Sequence, residues 1–165
     1  MLQPIVRRTW TPKGQTPIHY SWDRRDRLSA ISAISVSPRR HQLNLYFTVQ
    51  DANVHADDFE EFASQILTHF CKGIILVIDR WMVPRSAARR LRLRFRRVDV
   101  EWLPAYAPDL NPVEQVWNRS KYVELSNFIP KDIEVLAKAV DHSLRGQVDQ
   151  KDLLRSFFHH AKLRI

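Results

Sequence analysis

The chain has 165 residues, enough for one domain with a real core and short for two. Apolar residues make up 44% and charged residues 27%, the balance of a globular protein; the longest apolar run, Ile74 to Ile78, is too short to span a bilayer, and a lone Cys71 excludes an internal disulfide. The net charge of +8 is concentrated in two places, Met1–Leu28 (six basic, two acidic residues) and Arg85–Arg97 (seven arginines, no acid), which points to a polyanion partner, nucleic acid before membrane, against the plainer reading of a solvated cationic face.

The opening MLQPIVRRTW has no apolar stretch of the signal-peptide kind, which with the single cysteine fits a reducing, cytoplasmic setting. Arg7, Arg8 and Lys13 flank Trp10, and the group reads as a nucleic-acid contact with the indole as a stacking platform, or as a basic edge around a packed core tryptophan. LSAISAISVS (28–37) is β-branched, with apolar residues often two apart, and reads as a strand. Pro38 to His41 is a turn, and LNLYFTV (43–49) alternates as the second arm of a hairpin. From Asp57 to Phe70 the apolar residues Phe59, Phe62, Ala63, Ile66, Leu67 and Phe70 recur at helical spacing, with acids crowding the first turns where the helix dipole favours them.

GIILVID (73–79) is a continuous apolar run behind a helix and predicts a buried parallel strand ending in Asp79. A helix follows over Arg85 to about Phe95. On it Arg85, Arg89, Arg92 and Arg96 form one stripe, with Arg90, Arg94 and Arg97 beside it, too many cations for core pairing and suited to phosphates. VDVEWL (98–103) is a further strand. The chain then passes Pro104, Pro108 and Pro112 and opens a helix with Asn111 as N-cap, Pro112 in the first position and Glu114 in the third. Tyr106 in this loop reads as a loop-packing residue first and a DNA contact second. Trp117, near one turn past Glu114, reads as packing the helix onto the sheet. Two amphipathic helices, with apolar faces Ile133, Leu136, Ala137, Val140, Leu144 and then Leu153, Leu154, Phe157, Phe158, complete a mixed α/β order of β, β, α, β, α, β, α and a helical tail.

Two acids stand out. Asp79 closes a buried strand, the end at which open α/β sheets bind ligands, and a carboxylate there needs a cation, a cap or an arginine such as Arg80. Glu114 has the position of a capping-box acid, yet the three prolines before it fix φ and remove backbone donors, so the helix start is delivered stiffly to one place. Facing each other, the two would suit hard divalent cations, and paired ions about 4 Å apart serve phosphoryl transfer.

RRTWTPKGQTP, the strand LVIDR and above all LPAYAPDLNPVEQVW resemble the DDE catalytic domain of mariner-like transposases and their bacterial insertion-sequence relatives, over about Val6 to Glu124. The resemblance implies an RNase H-like fold that cuts and joins DNA with two Mg²⁺ or Mn²⁺ ions held by two aspartates and a third acid. It assigns the second aspartate to Asp79 and the third acid to Glu114. It also implies transposon ends and target DNA as partners, a homodimer, and a nucleoid-associated bacterial protein. The family's first aspartate belongs on the central strand just upstream of the R-R-T-W segment, and no acid lies between Met1 and Arg7. Asp23 and Asp26 are out of register, Pro84 stands where a histidine is common, and the N-terminal helix-turn-helix is absent. The expectation is thus a single domain (core about 6–124, helical tail about 130–163) lacking its first strand, with little or no strand-cleavage activity. The alternatives are a non-catalytic DNA-binding remnant and an unrelated basic nucleic-acid-binding module.

Overall fold

The structure, a computed structural model, describes residues 10–15, 28–79 and 85–165. Arg7, Arg8, Asp23, Asp26, Arg80 and Pro84 lie outside the described residues. Strands β1 (Ser29–Val36) and β2 (Leu43–Gln50) pair antiparallel, with Ser29 opposite Gln50 and Val36 opposite Leu43. Helix α1 (Ala56–Thr68) leads to β3 (Ile74–Ile78), then come α2 (Arg85–Arg94) and β4 (Val98–Trp102). β3 and β4 pair in parallel, Ile74 opposite Val98 and Ile78 opposite Trp102. A short 3₁₀ turn at Pro108–Leu110 precedes α3 (Pro112–Arg119), which runs into a π-helical turn at Ser120–Glu124; α4 (Ile133–Val148) and α5 (Lys151–His160) close the chain.

The element order is the one read from the sequence, but a continuous mixed sheet is not formed among the described residues. There are two two-stranded sheets, β1–β2 and β3–β4. In an RNase H-like arrangement one central strand pairs with both, and no such strand is among the described residues. Each pair therefore keeps its own cover and its own core. The larger core joins Leu28, Leu43 and Leu45 to Val116 of α3 and to Leu136, Val140, Leu144, Leu154, Phe157 and Phe158 of α4 and α5. Trp117 packs against it, as its position predicts. The last two helices are thus part of the main core rather than an appendage. The smaller core lies between α1, α2 and the β3–β4 pair, built on Ala63, Leu67, Leu91 and Val98, with Ile78, Ala87 and Ala88 beside it.

One consequence corrects the reading of GIILVID as a strand buried on both faces. Ile74, Leu76 and Ile78 face the helices, while Ile75 and Val77 are 68% and 56% exposed. Among the described residues, only one face of this two-stranded sheet has helices packed on it, so the continuous apolar run is covered at every second residue.

Candidate active site

The site is assembled from both halves of the molecule. β3 brings Asp79 to its carboxyl end, where the residue is half-buried. The Ile78 carbonyl, one residue earlier, accepts the Leu103 N–H at 2.9 Å, which ties the exit of β4 to the exit of β3. From there the proline loop makes its own short-range bonds: Leu110 N–H to the Ala107 carbonyl (3.1 Å) and Asn111 N–H to the Pro108 carbonyl (2.9 Å). Asn111 then caps α3, its Oδ1 accepting the Val113 N–H at 3.2 Å, and Pro112 takes the first helical position.

This cap leaves the Glu114 carboxylate unspent in the way a capping box would spend it. A box needs the third-position acid to accept the N-cap N–H, and that N–H is already donated to Pro108. The Asn111 carbonyl takes the Glu114 N–H at 3.1 Å, so the backbone fixes the residue while its side chain stays available. Val116, fully buried in the main core, anchors the same turn.

Glu114 sits about half-buried, and two causes push its pKa above the ordinary carboxylate range: first burial, which penalises the charged form, and second the negative charge of Asp79. Two acids that lie 35 positions apart in the sequence therefore feel each other across the molecule. Two carboxylates on different elements supply the oxygen donors that hard cations take. Among the described residues, no third histidine, cysteine or acid joins them in a group able to hold a metal ion.

The arginines of α2 and of the turn after it fall into two sets. The helix ends at Arg94, so Arg96 and Arg97 lie past it and Arg96 is not on the helical stripe read from the sequence. Arg90 donates to Glu60 (2.5 Å) and Asp57 (2.6 Å) of α1, Arg94 reaches Ser64 Oγ (3.5 Å), and Arg97 donates to the Leu67 carbonyl (3.1 Å). These three hold α2 and its exit against α1. Arg85, Arg89, Arg92 and Arg96, the stripe predicted to meet phosphate, are exposed and form no ion pair among the described residues. Lys13 is exposed on a turn.

Two aromatic readings are settled by exposure. Trp10 is fully exposed, which removes the packed-core alternative. Tyr106 does not pack the proline loop as expected: it is 97% exposed, at a left-handed φ of 58°, so the turn carries its ring outward into solvent. The sequence reading passed over Trp102, taken there only as a strand residue. With Val100 and Arg85, Arg89 and Arg92 it lines an open groove between α2 and β4. Alternation in VDVEWL, which puts Val98, Val100 and Trp102 on one face, was the available signal.

A protein-family model described as DDE superfamily endonuclease matches residues 1–136. That span is most of the chain, and the chain belongs to this family. Among solved structures, it is similar to a chain of the "Crystal structure of the Mos1 Strand Transfer Complex", at 14% identity and a TM-score of 0.53. The match covers 99% of this chain and 52% of that one, so the present chain spans about half the length of its structural relative. At that identity the likeness is one of fold, and it bears out the RNase H-like reading. No curated protein matches the chain.

Proposed function

We propose that this is the catalytic domain of a DDE transposase, acting on the phosphodiester backbone of DNA at transposon ends and target, with Asp79 and Glu114 as metal ligands. The observation that carries the reading is the charge of Asp79 felt by a half-buried Glu114 whose capping role is already filled. The pair fits Mg²⁺ or Mn²⁺, because a divalent cation would offset the Asp79 charge that raises the cost of ionising Glu114. When bound, paired ions supply activation of an attacking oxygen and stabilisation of the leaving one. The chain's own contribution is positional. β3 and the proline loop fix the two acids, and Arg85, Arg89, Arg92 and Arg96, with Lys13 and the basic residues Arg7 and Arg8, hold the DNA backbone. A dimer of such chains on two DNA ends belongs to the same reading.

The test is a Mn²⁺-dependent strand-cleavage and metal-binding measurement on the wild-type chain and on Glu114→Gln. The reading expects Mn²⁺ to raise the melting temperature of the wild type and not of the variant. Equal stabilisation of both would remove Glu114 from the site.

A second reading is a DNA-binding chain without chemistry. It is favoured by the lack, among the described residues, of a third metal-ligating side chain beside the pair. It expects salt-sensitive DNA binding that survives Glu114→Gln and has no metal dependence.

A further inference from the structure

The groove between α2 and β4 has a volume of about 440 Å³. α2 lines it with Arg85, Arg89 and Arg92, exposed and without a carboxylate partner among the described residues, and with Ala88 and Leu93 between them. β4 lines it with the apolar Val100 and Trp102. Trp102 is half-buried, one part of it packed near Ala87 and Ala88, the rest lining the groove. Leu93 is 73% exposed, on a helix whose other outward residues are arginines and Ser86.

The contour of a duplex backbone asks only for the cations. It has no use for an apolar floor behind them, since its bases are stacked and paired. An unpaired nucleotide needs both, a guanidinium for the phosphate and a flat apolar surface for the base, and tryptophan is a strong stacking platform. Location adds to this. Trp102 is in register with Ile78, the residue before Asp79, so this end of the groove lies at the same end of the β3–β4 pair as Asp79.

We infer that the α2–β4 groove is a binding subsite for an unpaired nucleotide of a DNA strand, with Trp102 stacking on the base and Arg85, Arg89 and Arg92 holding its phosphates. The inference rests on the arginine stripe being the DNA-contacting face, and deepens that reading by naming the state of the DNA it takes.

The experiment measures the affinity of the full chain for a short labelled single strand and for the duplex of the same sequence, each at several salt concentrations. Trp102→Leu is expected to weaken single-strand binding about tenfold, the scale of one lost stacking contact, with duplex affinity and both salt slopes unchanged. Arg89→Ala is expected to weaken both and to lower each slope by about 1. An equal loss on both DNAs for Trp102→Leu, or no loss on either, overturns the groove assignment and leaves the arginine face standing. A wild type that binds neither DNA overturns both. Because Trp102 packs near the smaller core, a second measurement uses the unaltered protein: a single strand carrying 5-iodo-deoxyuridine is irradiated and the adduct mapped. Cross-linking at Trp102 supports the subsite, and adducts only elsewhere overturn it. Free thymidine monophosphate displacing the strand at equal concentration would also overturn it, by making the groove a mononucleotide site.

Discussion

Glu114 is held in a setting that favours its protonated form, first through burial and then through the charge of Asp79. The sign of the resulting pH dependence follows. Below the ordinary glutamate pKa, folded and unfolded chains both carry the proton, and the site costs nothing. As pH rises through the interval up to the raised folded pKa, the unfolded chain releases its proton first, and stability is lost. Above that interval the full cost of two neighbouring carboxylates remains. In metal-free buffer, Glu114→Gln is therefore expected to melt at a higher temperature than the wild type near pH 7, with the two curves converging below about pH 4. Melting curves across that range check it; a variant less stable at neutral pH would show that the carboxylate contributes to folding after all. Both acids could be found in the sequence because each ends a recognisable signal, an apolar strand for Asp79 and an Asn-Pro cap for Glu114. What the sequence could not show was whether the cap uses the glutamate. That depends on which acceptor takes the Asn111 N–H, and it is Pro108. Tyr106 escaped for a similar reason: composition placed it in a stiff loop, and only the backbone angle decides which way its ring points.

At the scale of elements, α2 is one helix with two duties. Seven arginines lie between residues 85 and 97, and periodicity alone marks a stripe of four. The acids of α1 explain the division, because Asp57 and Glu60 stand opposite Arg90 and draw it away from solvent duty. Arg90→Ala is expected to lower the melting temperature and leave the salt slope of DNA binding unchanged. Arg92→Ala is expected to do the reverse, removing about 1 from the slope of log affinity against log salt with no change in melting. Measuring both quantities on both variants separates the sets, and equal salt slopes for the two variants would erase the distinction. Within the same element, Leu91 is fully buried in the smaller core, so Leu91→Ala is expected to cost about 2–5 kcal/mol by denaturant titration. The faces of α4 and α5 were readable residue by residue, since helical periodicity reports a buried stripe directly. The open face of β3 was not, because an apolar run looks the same whether one or both of its faces are covered.

At the scale of the whole molecule, the described residues form two strand pairs that carry two cores of unequal size, and the acids come one from each half. The β3–β4 half has few fully buried residues, and its amides are expected to exchange with solvent faster than those of β1, β2 and α4. On the proposed function, Asp79 and Glu114 would hold Mn²⁺ and its addition would slow that exchange, an effect hydrogen–deuterium exchange can read peptide by peptide. The class of fold and the order of elements were legible because each element carries its own period. The split into two sheets was not, since strand pairing across a sheet depends on partners far away in sequence. The account as a whole requires that the ends of β3 and α3 meet. The most direct test is the NMR titration of the Glu114 carboxyl carbon in the wild type and in Asp79→Asn, without metal. The account predicts a raised pKa in the wild type that falls toward the ordinary glutamate value once the neighbouring charge is removed. An identical titration in the two proteins would contradict it.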